Sequence, residues 1–180
     1  MSIGRFVMKR FVRNGILIIA SATVYSTVSN TSSAATATAT MTNTVTIANI
    51  CTISTIGFTT TYDPIVTNLS TPQTATASVT TTCTIGASPV ITLDQGAHAN
   101  TGSTAAVPLR RLSNGTAFLN YGLFQDSGHV TTWGGTPATA PTAVVATGLA
   151  TPITIYASIP AAQSQPAATY TDSVIATVTF

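Results

Sequence analysis

Apolar and polar residues alternate with period two in several separate stretches of the chain, and no helical period runs through its main body. Residues 74–83 place Ala75, Ala77, Val79, Thr81 and Cys83 on one face. Residues 117–123 do the same with Ala117, Leu119, Tyr121 and Leu123, and residues 152–159 with Ile153, Ile155, Ala157 and Ile159. Residues 90–93 form a short apolar run after Pro89. Residues 172–180 align Val174, Ala176, Val178 and Phe180, so the last strand stays core-facing up to a terminal aromatic. Turn formers punctuate these runs: Asp63-Pro64, Gly86, Gly96, Gly102, Asn114-Gly115 and Gly134-Gly135. The stretch 134–148, rich in Ala, Pro and Thr, reads as a long loop. Many short strands joined by polar turns predict an all-β sandwich or barrel.

One further stretch, TATATMTNTVTIANICT over residues 36–52, alternates almost without fault. Its first half carries small side chains and no charge. It is a strand in pattern, and the question is what it pairs with.

Charge and composition narrow the class. Of six Lys and Arg, four (Arg5, Lys9, Arg10 and Arg13) fall in the first thirteen residues. Residues 15–25 follow as a short apolar core, and Ser32-Ser33-Ala34-Ala35 supplies small residues. This is the layout of a secretory signal peptide over residues 1–35, cleaved near Ala34 or Ala35. Ala20-Ser21-Ala22 also resembles a cleavage site but leaves too short an apolar core. A membrane-spanning helix needs about 20 apolar residues, more than this run offers. Past the leader, Arg110 and Arg111 face Asp63, Asp94, Asp126 and Asp172, a net of −2. A nucleic-acid surface needs a basic patch, and this body has none. The length suits one domain with a core.

The chemical inventory is thin. Cys51 and Cys83 are the only cysteines, an even count that suggests a disulfide in an exported protein. Closing that loop contributes roughly 3–4 kcal/mol on the chain-entropy model. A metal-binding pair is the rival reading, weakened by the lack of clustered histidines. His98 and His129 lie in turn-like segments, and Asp126-Ser127-Gly128-His129 reads better as a polar turn than as an acid–base pair. Arg110-Arg111 reads as a solvated strand edge, and Trp133 as a core or loop anchor. There is no G-x-S-x-G elbow and no phosphate loop. These residues point away from an enzyme and call for no cofactor or metal.

Taken in order, the fragments resemble the spore coat protein U domain, which is also the subunit domain of archaic chaperone–usher pili. The likeness covers residues 51–180. It is carried by Gly57-Phe58 with Tyr62-Asp63-Pro64, Val79-Thr80-Thr81-Thr82-Cys83, and Leu93-Asp94-Gln95-Gly96. It continues through Leu112, then Asn120-Tyr121-Gly122-Leu123-Phe124-Gln125-Asp126, Trp133-Gly134, Ile155-Tyr156 and Ile159-Pro160. It ends on Tyr170-Thr171-Asp172-Ser173-Val174 and Val178-Thr179-Phe180. Each fragment is weak alone, and their order and spacing carry the signal.

The resemblance implies an incomplete immunoglobulin-like β-sandwich, completed by a donor strand from another subunit. Residues 36–50 are then the donor extension and 51–180 the pilin domain. The inserting face is Ala37, Ala39, Met41, Asn43, Val45 and Ile47, and the strand bordering the groove carries Val174, Ala176, Val178 and Phe180. Burying Met41, Val45 and Ile47 stabilises the link by on the order of 5–10 kcal/mol, comparable with a whole domain's roughly 5–15 kcal/mol. Asn43 departs from the apolar pattern: either the register differs or the groove accepts a polar side chain there. The implied partners are other pilin subunits, a periplasmic chaperone and an outer-membrane usher. The implied location is the cell surface, reached through the periplasm, with a role in adhesion and biofilm. A spore-coat or matrix protein is the alternative. A carbohydrate-binding tip adhesin fits less well, because it should be longer and lack its own donor strand.

Overall fold

A computed structural model describes residues 33–180, and the expected signal peptide falls almost wholly outside them. The chain divides into two units, Met1–Thr44 and Val45–Phe180. Within the first, residues 33–44 form no helix or strand and are exposed throughout.

The second unit is all-β. Its strands are β1 (Cys51–Ile56), β2 (Gln73–Cys83), β3 (Val90–Leu93), β4 (Arg110–Ser113), β5 (Phe118–Phe124), β6 (Thr151–Ile159) and β7 (Ala176–Thr179). Five of them make an antiparallel sheet in the order β1-β2-β6-β5-β4, while β3 and β7 make a second, two-stranded sheet. The first sheet is held by its long central pair. Val79 lies opposite Ile153, Ala77 opposite Ile155 and Ala75 opposite Ala157. Alanine, valine and isoleucine alternate mainly with threonine and serine here, so one face buries apolar groups while the other stays largely polar. Cys51 and Cys83 face each other across β1 and β2 and form a disulfide, with Cα atoms 4.0 Å apart.

The core lies between the sheets and is built from Val79, Ile91, Leu93, Tyr121, Leu123, Trp133, Ile155, Ala157 and Ile159. Trp133 is fully buried and donates its indole N–H to the Ile91 carbonyl (2.8 Å), which joins the loop after β5 to β3. The expected inward faces of β2, β5 and β6 are the buried ones.

The structure corrects the sequence in two places. Arg110 is not a solvated edge: it is 1% exposed and lies in β4. Its Nε donates to the Asp94 carbonyl (2.8 Å), and one Nη donates to the carbonyls of Leu93 (2.9 Å) and Trp133 (3.0 Å). These carbonyls end β3 and leave the Trp133 loop, so they need a donor that only a long side chain from the opposite sheet supplies. Burial pushes the guanidinium below the ordinary arginine value, an effect offset by Tyr121, Asp94 and Asp172 nearby. Arg111 does stay partly exposed, stacked 4.0 Å over the Phe118 ring.

The strand expected over 172–180 is shorter, and Phe180 lies beyond it, half exposed. Thr171 instead pairs with Ser113 of β4, exchanging two backbone hydrogen bonds (2.8 and 2.9 Å), before the chain crosses to β3. The 36–52 stretch becomes strand only from Cys51 onward. The last tie before it is at Ile50, whose N–H reaches the Thr84 hydroxyl and whose carbonyl accepts from the Thr84 N–H. A strand exists only where a neighbour satisfies its backbone, and among the described residues nothing pairs with residues 36–47.

Candidate assembly groove

The sandwich is joined on one side and open on the other. On the joined side, the Ser113–Thr171 bridge links the five-stranded sheet to the segment that becomes β7. On the other side, β1 pairs only with β2 and β7 only with β3 among the described residues. Each therefore has a free edge. Where the chain leaves β1 and where it approaches β7 there opens a cleft of about 890 Å³, while β1 and β7 themselves lie close together.

One wall of the cleft is residues 55–62, where the chain leaves β1. The other is residues 165–174, leading into β7 and ending on Ala176. Its floor consists of Leu93, Leu119, Tyr121, Leu123, Ile155 and Ile159, all core residues. Each is at most 7% exposed, so only a small part of each side chain reaches the cleft. Phe58 partly shields the floor, its ring edge-on to Tyr121 at 5.7 Å. Tyr62 pins the wall by donating to the Pro160 carbonyl (2.8 Å) and accepting from the Gln163 N–H (3.1 Å).

One polar group is set among these apolar ones. Tyr121 donates its hydroxyl hydrogen to Asp172 Oδ2 (2.7 Å), while Asp172 Oδ1 takes the His98 backbone N–H (3.2 Å) and its ring Nδ1 (3.1 Å). Burial, then the bond to Asp172, pushes the Tyr121 hydroxyl well above the usual tyrosine value, so it stays protonated and donates. Gly96 lets the carboxylate lie this close: its φ is +76°, and a Cβ there would collide with Asp172.

The expected site residues fall as follows. Val174 and Ala176 line the cleft. Val178 packs against the core without lining the cleft, and Phe180 takes no part in its walls. Met41, Val45 and Ile47 are 80%, 90% and 82% exposed, and Ala37, Ala39 and Asn43 are exposed as well. The Asp126 turn is a turn: the carboxylate accepts the N–H groups of Val130 (3.1 Å) and Thr131 (2.7 Å), and His129 packs against Phe124 and Tyr156. The wall at residues 55–62 went unread in the sequence. Its signal was the Gly57-Phe58 and Tyr62-Asp63-Pro64 cluster, which has no alternation and yet carries two aromatics.

A family model described as the Spore Coat Protein U domain matches residues 21–177. The chain belongs to this family. Protein U of Myxococcus xanthus is 43% identical over 96 residues, which are 52% of this chain and 53% of that protein, so the match spans about half of its length. Among solved structures, the CsuC–CsuE chaperone–tip adhesion subunit pre-assembly complex from archaic chaperone–usher Csu pili of Acinetobacter baumannii aligns with a TM-score of 0.42. That alignment is 17% identical and covers 75% of this chain and 40% of that one.

Proposed function

We propose that this spore coat protein U domain is a structural subunit of a surface pilus, assembled through the periplasm by a chaperone and an usher, with donor-strand exchange linking the subunits. The observation that carries the reading is the open cleft, which reaches core residues and is walled by residues 57–62 and 165–174, outside the named strands. A strand placed there pairs its backbone on both sides and covers the floor. The same chain carries a strand-patterned, exposed segment in residues 36–47. Donor and groove are different surfaces, so the contact is heterologous and repetition extends a fibre instead of closing a dimer. A chaperone holds the groove before assembly and an usher exchanges it for the donor. The fibre supports adhesion and biofilm formation at the cell surface.

A coat or matrix role for the same domain is the second reading, favoured by the family's description as a spore coat domain. Negative-stain microscopy of cells with and without the gene separates the two. Fibres that vanish with the gene support a pilus, and a fibre-free surface in both strains overturns it. Deleting residues 36–47 tests the cleft itself: without a chaperone, the shortened protein should self-associate through its open cleft. A cooperatively folding, soluble monomer would overturn the incomplete-sandwich reading.

A further inference from the structure

The polar group in the cleft stands in the middle of its floor. On β5, Tyr121 lies between Leu119 and Leu123, two residues to either side, and all three line the cleft. Its hydroxyl gives its one hydrogen to Asp172, and among the described residues nothing donates to its oxygen. The Asp172 side chain is 1% exposed and brings a negative charge beside it. The hydroxyl oxygen thus keeps an acceptor position free, and the one unpartnered buried donor nearby, Nη1 of Arg110 opposite Tyr121 in the sheet, is not bonded to it.

The extension has the matching pattern. On its alternating face, Asn43 stands between Met41 and Val45, again two residues to either side. A carboxamide carries two N–H donors. Extended strands share a repeat of about 6.6–6.8 Å per two residues, so apolar–polar–apolar on one strand can lie over apolar–polar–apolar on another.

We propose that Asn43 of one subunit sets the register of the donor strand by donating to the Tyr121 hydroxyl of the next, with Met41 and Val45 over the apolar floor on either side. The inference rests on the donor-strand reading. Ala39, Met41, Val45 and Ile47 are all apolar, so a slip of two residues keeps apolar groups inward and costs little. The same slip moves Asn43 onto Leu119 or Leu123 and strands a buried amide. One polar residue in an apolar seam thereby selects one alignment among several, as a buried asparagine does in a coiled coil.

The test uses fibres of the full-length mature chain and the rate at which they release subunits in guanidinium. Asn43→Leu and Tyr121→Phe are each expected to speed release about tenfold, and the double variant no more than Tyr121→Phe alone, because the two groups form one interaction. Asn43→Asp keeps the shape but exchanges the amide for a second carboxylate beside Asp172, so it should release fastest of the Asn43 variants. Both Asn43 substitutions lie in an exposed segment, so they act on assembly without disturbing the fold. Multiplying effects in the double variant, or wild-type release by Asn43→Asp, overturns the register pin. Val45→Asp separates the two failures. If it abolishes fibres while the Asn43 result is negative, the pin alone is wrong. If fibres persist, residues 36–47 are not the donor or Val45 does not face inward, and the pin falls with either.

Discussion

Residues 73–83 and residues 36–47 are written in nearly the same pattern, QTATASVTTTC and TATATMTNTVTI, and meet opposite fates. The first is β2, paired with β1 on one side and β6 on the other, with Val79 wholly buried. The second forms no strand and exposes Val45 by 90%. Threonine alternating with apolar residues suits a pleated, half-buried surface, but it supplies no neighbour. The pattern measures the capacity to be a strand, and the available edge decides whether that capacity is used. In this family member the second edge belongs, on our reading, to another molecule.

Placing a charge in each stretch breaks the comparison in two ways. The largest effect is expected from Val79→Asp, which buries an unpaired carboxylate between the sheets at a penalty of several kcal/mol. That is comparable with a domain's whole stability, so little folded protein should be recovered. The emission of Trp133, the only tryptophan, reports it, and an unshifted buried-tryptophan spectrum would contradict the assignment of the core.

Val45→Asp should instead leave the folded domain intact and abolish polymers, because the charge must enter the groove only on assembly. Unboiled samples on a gel show fibres as a ladder. A ladder equal to wild type would show that residues 36–47 are not the donor, or that Val45 does not face inward.

Next comes the disulfide that ties β1 to β2. Mass spectrometry of the non-reduced protein should find no free thiol, and Cys51→Ser with Cys83→Ser should lower stability by roughly 3–4 kcal/mol. Two alkylatable thiols would refute the bond. The smallest effects are expected at the outward threonines of both stretches. Thr82→Asp should change stability by about 0.5 kcal/mol or less, as exposed positions do. Thr44→Asp should weaken the ladder far less than Val45→Asp. Equal losses at Thr44 and Val45 would remove the two-faced character of the extension.

Much of the domain was legible because period two reports faces directly. The inward residues of β2, β5 and β6 could be read from spacing alone, and β3 from a short apolar run after Pro89. Arg110 was misread because a charge pair in sequence resembles a solvated edge. Only the opposing sheet reveals the carbonyls of Leu93, Asp94 and Trp133 that draw it inward. The outer end of the last strand was overread, because alternation continues past the point where β3 stops and leaves no ladder for Phe180.

What the sequence determined by itself is therefore local. It set the all-β character, the faces of the long strands, the cysteine pair, and a strand-competent extension ahead of the domain. These follow from side-chain period and composition, which act over a few residues. The tertiary structure decided the rest: that Thr171 bridges to β4 before the chain joins β3, that residues 55–62 and 165–174 face one another, and that a cleft between them reaches the core. A missing neighbour has no pattern of its own in a chain. It emerges only when the strands have been paired and unpartnered edges remain.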